Sequence, residues 1–115
     1  MAVTSFANGT QTATVTTEHF VSDVNQAGTY VFEVNTTNMA AGDVLELRIY
    51  RKPLTGSTSV VAYFSAFYGV QPAEDVIKIS VPISNDHTNA TALRFSLKQT
   101  FGTGRNFEWN VLKHA

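Results

Sequence analysis

Two alternating runs around a pair of glycines constrain this chain most. From Leu93 to Leu112 it reads LRFSLKQTFGTGRNFEWNVL, with Leu93, Phe95 and Leu97 alternating with Arg94, Ser96 and Lys98. After Phe101-Gly102-Thr103-Gly104-Arg105, Phe107, Trp109 and Val111 alternate with Glu108, Asn110 and Leu112. A period of two over such lengths predicts strands with one buried and one solvated face. The glycines can take positive φ without steric penalty, so the segment is expected to be a β-hairpin. It holds no catalytic group.

The same alternation recurs upstream. Strands are predicted over residues 10–17 and 29–34, the latter with Tyr30, Phe32 and Val34 on one face. The segment 18–24 stays open between strand and turn. Residues 43–54 form a long strand with Leu45, Leu47 and Ile49 inward and Glu46, Arg48 and Tyr50 outward. Ser59 to Tyr68 is apolar on both faces, which predicts a strand central to the fold or buried in an oligomer interface. In 76–84, Ile77, Ile79, Val81 and Ile83 alternate with Lys78, Ser80, Pro82 and Ser84, and Pro82 marks an edge or a bulge. Seven or eight strands with few helical signals predict an all-β, single-domain antiparallel β-sandwich, of jelly-roll or related Greek-key type. An immunoglobulin-like sandwich is the nearest alternative. Residues 1–12, polar and uncharged, read as an extended N-terminal arm ahead of a domain spanning 13–115.

Composition narrows the function. Charged residues make up 15% of the 115 and the formal net charge is −1, so no clustered basic surface for nucleic acid is expected. Threonine dominates the polar residues, suiting exposed strand faces. Cysteine is absent, which excludes disulfides. The N-terminus lacks a basic start and an apolar core, so no secretory signal is expected, and no apolar run reaches the ~20 residues of a membrane helix. Synthesis in a cytoplasm is the default.

Catalytic patterns are lacking. His19, His87 and His114 are dispersed, and His87 beside Asp86 has no accompanying ligand cluster. No nucleophile elbow or paired-carboxylate signature occurs, and Gly102-Thr103-Gly104-Arg105 has no following helix to make a phosphate loop. A non-enzymatic protein without metal or cofactor is expected. Aromatic residues are the better candidates: most serve the core, and an outward set, Tyr50 with Phe64 and Tyr68 or with Tyr63 and Phe67, would serve a subunit contact or a sugar platform. The candidate protein interface comprises Ala2, Val3, Phe6, Tyr50, Phe64 and Tyr68.

Several motifs carry a family likeness. Leu97-Lys98-Gln99-Thr100-Phe101-Gly102-Thr103-Gly104-Arg105, Trp109 and Val111-Leu112-Lys113 resemble a family of small virion proteins of tailed bacteriophages. Asn38-Met39 through Gly42-Asp43, Leu45-Glu46-Leu47-Arg48 and Lys52-Pro53-Leu54 resemble it too, so the likeness runs over residues 28–113. The resemblance implies a virion structural protein similar to capsid decoration (cement) proteins. On that footing the expected partner is the major capsid protein and the expected assembly a homotrimer at a local three-fold. The lack of a basic surface for nucleic acid points to the outer capsid surface rather than the DNA-filled lumen. The resemblance carries no catalytic or cofactor residues. A tail, neck or adaptor component is the alternative, and a carbohydrate-binding β-sandwich for host adhesion a further one.

Overall fold

The computed structural model describes residues 2–114. Nine strands follow in chain order: β1 (Val3–Thr12), β2 (Glu18–Val24), β3 (Gly28–Asn35), β4 (Val44–Arg51), β5 (Val60–Tyr68), β6 (Ile77–Ile79), β7 (Ile83–Asn85), β8 (Leu93–Phe101) and β9 (Asn106–His114). All pairings are antiparallel. The first sheet runs β1-β9-β3-β6, with β7 also on β3, and the second runs β2-β8-β4-β5. If β6 and β7 count as one interrupted strand, this is the order of an eight-stranded jelly roll. Pairing of the first strand with the last distinguishes it from the immunoglobulin arrangement.

The core lies where the two inner faces meet. Tyr30, Phe32 and Val34 of β3 and Phe107 and Val111 of β9 face Leu45, Leu47 and Ile49 of β4 and Leu93, Phe95 and Leu97 of β8, all essentially inaccessible to water. Phe32 and Phe95 meet edge-on across the sheets, centroids 5.4 Å apart. The strand alternation predicted for β3, β4, β8 and β9 thus holds residue by residue.

Four sequence expectations are corrected. First, β8 and β9 are not a hairpin: β8 pairs with β2 and β4, whereas β9 pairs with β1 and β3. The glycine segment between them is a corner that crosses from one sheet to the other. Gln99, fully buried, holds it by donating to the carbonyls of Phe101 (2.9 Å) and Thr103 (2.7 Å) and accepting from the Arg105 amide (3.1 Å). Asp43, just before β4, accepts from Arg105 Nε at 2.8 Å and from the amides of Ala40 and Thr103. Gly102 has φ 91°, and a Cβ there would fall onto Asp43.

Second, residues 3–12 are not a free arm. They pair with β9 from Val3 opposite His114 to Thr12 opposite Asn106, with a bulge at Phe6. Strand β1 begins seven residues ahead of the predicted Thr10, because its polar sequence hides an edge strand that has little to bury. Third, β5 is an edge strand and not central, so part of its apolar surface is exposed. Fourth, the 76–84 alternation is split. Tyr30 pairs with Ile83, but Glu33 pairs with Ile79, which leaves one extra residue near Val81-Pro82. That bulge reverses the facing: Ile77, Ile79 and Val81 point to solvent, while Lys78 and Ser80 are buried. The Lys78 ammonium lies 4.9 Å from the Phe67 ring centroid and 3.0 Å from Asp75.

Candidate interface on the outer face of the second sheet

The register of the second sheet sets its outward side chains in rows. One row is Glu18–Lys98–Glu46–Ala66, the next Phe20–Ser96–Arg48–Phe64. Bulges at Val21 and Ala62 shift the third, which reads Asp23–Arg94–Tyr50–Val61. Cations and rings therefore interleave. Arg94 lies 3.9 Å above the Phe20 ring and Arg48 lies 4.9 Å from the Phe64 centroid. Phe20 and Tyr50 meet at 5.5 Å. Each guanidinium also holds a carboxylate, Arg94 on Asp23 at 2.9 Å and Arg48 on Glu46 at 2.8 Å.

Glu18 ties the face together. Its Oε2 accepts from the Tyr50 hydroxyl at 2.7 Å and from Ser96 Oγ at 2.6 Å. Burial pushes the Tyr50 phenol above its ordinary pKa, and the hydrogen bond to Glu18 and its charge push the same way, opposed more weakly by Arg48 and Arg94. Ser96, although on the outer face, is fully covered. Nη1 of Arg48 is buried and has no acceptor among the described residues.

Such a face has the composition of a protein-binding surface. Planar guanidinium groups resting on rings are pre-ordered for carboxylates and carbonyls, and Arg, Tyr and Phe are enriched where interfaces concentrate their energy. Phe20, Phe64 and Tyr68 remain 42%, 50% and 71% exposed. The patch continues along β5 through Val61.

Of the residues proposed from sequence, the structure brings Tyr50, Phe64 and Tyr68 to this sheet, with Tyr50 half-buried. Tyr63 and Phe67 turn inward and pack against the core. Ala2 and Val3 are exposed but lie at the start of β1, in the other sheet. Phe6 turns inward, edge-on to Tyr30 at 5.5 Å, and is no surface contact. Sequence reasoning missed Phe20, Arg48 and Arg94. The Glu18-x-Phe20 spacing was the available signal for the first, in a segment left open between strand and turn.

Other sites are occupied by structural roles. His87 Nε2 lies 2.8 Å from the Lys52 carbonyl and its Nδ1 accepts from the Asn89 amide at 3.3 Å, while Asp86 pairs with Arg51. Among the described residues no group of three or more His, Cys, Asp or Glu could hold a metal ion. On the outer face of the first sheet, Glu33, Asn35, Ile77, Glu108, Trp109 and Asn110 line an open basin of about 280 Å³. The Trp109 ring packs against the core beside Gly9, where a methyl group would stand 3.4 Å from it. No helix among the described residues is long and apolar enough to cross a membrane.

No family model, curated protein or solved structure matches the chain.

Proposed function

We propose that this chain is a non-enzymatic structural protein of a tailed-phage virion, a capsid decoration protein that grips the outer surface of the head through the outer face of its second sheet. The observation that carries the binding role is the interleaved array of Phe20, Tyr50 and Phe64 with Arg94 and Arg48 on the outer face of the second sheet, with the rings of Phe20 and Phe64 open to solvent. The virion assignment rests on the motif resemblance. The jelly roll contributes little by itself, since capsid, lectin and cupin domains share it.

The proposed mechanism is avidity. Several copies bound to neighbouring coat subunits combine weak contacts, and linkage raises apparent affinity by about 10²–10⁴ where geometry permits. Binding only the mature lattice stabilises it by mass action.

The test is quantitative mass spectrometry of purified particles, giving copies per major capsid protein. A ratio near one, or a simple lattice fraction, supports decoration. A dozen copies or fewer moves the protein to neck or tail, and absence removes the virion reading. In the same particles Phe64→Ala combined with Arg94→Ala is expected to lower occupancy, with the sandwich still folded by circular dichroism.

A further inference from the structure

Four strands form the edges of the two sheets, and three are guarded. Strand β2 carries Glu18 and Asp23 and a bulge at Val21. The β6/β7 edge is short and broken by the bulge next to Pro82. Strand β1 is polar and bulged at Phe6. Strand β5 is different. No residue from Pro53 to Ala73 is charged, β5 contains no proline, and Val60, Val61, Phe64 and Tyr68 are exposed along it. A long apolar edge without charge is a template for another strand.

Backbone parity shows which groups are on offer. The Gly69 amide donates to the Asp43 carbonyl at 2.8 Å. Gly69, Phe67 and Ser65 therefore turn their amides and carbonyls toward β4, and Tyr68, Ala66 and Phe64 turn theirs outward. The bulge at Ala62 lies outside this regular stretch. Gln71 Nε2 occupies one lone pair of the Tyr68 carbonyl at 3.1 Å, leaving the second. Both buried side-chain polar atoms that lack a partner among the described residues, Arg48 Nη1 and Ser59 Oγ, lie on this side of the second sheet.

We propose that β5 pairs antiparallel with β5 of a second copy of this chain, about a two-fold axis at Ala66, joining the two second sheets into one. The occupant is set by the strand's own chemistry. In a two-fold pair each side chain meets its own kind or a near neighbour, which a charged edge penalises and an uncharged one does not. Centring on Ala66 places the small residue opposite itself. It sets Phe64 against the partner's Tyr68 twice, as aromatic cross-strand pairs on the outer face. The two-fold consumes the edge, so assembly stops at a dimer and no filament grows. Phe64 serves both this pairing and the outer-face array, but the virion reading does not need the pairing, and its failure leaves that reading standing.

The experiment is sedimentation equilibrium on the full chain over a wide concentration range, with Ala66→Lys and Ala66→Glu as variants. The Ala66 side chain and its free backbone groups avoid the core, and circular dichroism checks that both variants fold. The wild type is expected at twice the chain mass. Each variant alone is expected to lose the dimer, because like charges then face each other at the axis, and an equimolar mixture is expected to recover it. A wild type that is monomeric or trimeric overturns the proposal. So does a dimer that survives either substitution alone, or a mixture that fails to recover one.

Discussion

Replacing Asp43 by Asn tests the corner at which β8 leaves the second sheet. Asp43 is 1% exposed and its carboxylate accepts from Arg105 Nε and from the amides of Ala40 and Thr103. Asn keeps the shape but has one acceptor oxygen, and its NH₂ must face a donor. Hydrogen bonds to a charged group contribute about 1.5–3 kcal/mol each. Arg105, at 30% exposed, can turn to water once released, which limits the loss. We therefore expect destabilisation of about 2–4 kcal/mol at pH 7. Unfolding entropy near 2.1 cal/mol/K per residue converts this, for 115 residues, into a Tm about 8–16 °C lower.

The pH dependence gives this test its specificity. Burial raises the Asp43 pKa, but the hydrogen bond to Arg105, those from the Ala40 and Thr103 amides and the Arg105 charge outweigh it and hold the group below its ordinary value. A depressed folded-state pKa contributes stability that is present above the unfolded value, about 3.9, and is lost as pH falls through the folded value. The Asn variant resembles the protonated acid. Its gap to wild type, measured by urea denaturation, should be full at pH 7 and shrink as pH falls below about 4. A gap under about 1 kcal/mol at pH 7, or one unchanged at acid pH, would refute the assignment of Asp43 as the ionised tie of this corner.

Neighbouring features lead to further outcomes. Gly102→Ala, at φ 91° and against Asp43, should destabilise by at least the about 1–3 kcal/mol of the strained backbone, seen as a lower urea midpoint. Glu18→Gln should lower the Tyr50 titration midpoint, read from phenolate absorbance, yet leave it above the ordinary value because burial remains. Deleting residues 2–10 should do more than remove a tail. It strips most of β1 from β9, so a lower Tm and aggregation are expected, and a deletion with unchanged Tm would contradict the pairing.

Alternation was legible wherever a strand buries one face, because the period of two belongs to the strand itself. Leu45, Leu47 and Ile49, and Leu93, Phe95 and Leu97, were assigned inward correctly. Sheet membership was not legible. A hairpin and a sheet-crossing corner share the same alternation and glycines, and only the partners of β8 and β9 tell them apart. Nor was the facing of Ile77 and Ile79, since one bulged residue at 81–82 gives β6 and β7 opposite parity. Of the candidate face, Tyr50, Phe64 and Tyr68 came from their strands' patterns. Phe20, Arg48 and Arg94 come together only through the register of β2, β8 and β4, which lies between strands and not within any of them.

The position of β9 bears on how the protein is made. It is the last of the described strands in chain order, yet it lies between β1 and β3, the first and third. During synthesis those two strands emerge early and have no common neighbour until β9 leaves the ribosome. The first sheet is then completed at once, after translation of everything before it, by insertion of a strand into a waiting gap. Non-local closure of this kind is slow, and throughout the wait the uncharged β5 is the segment on which nascent chains would meet.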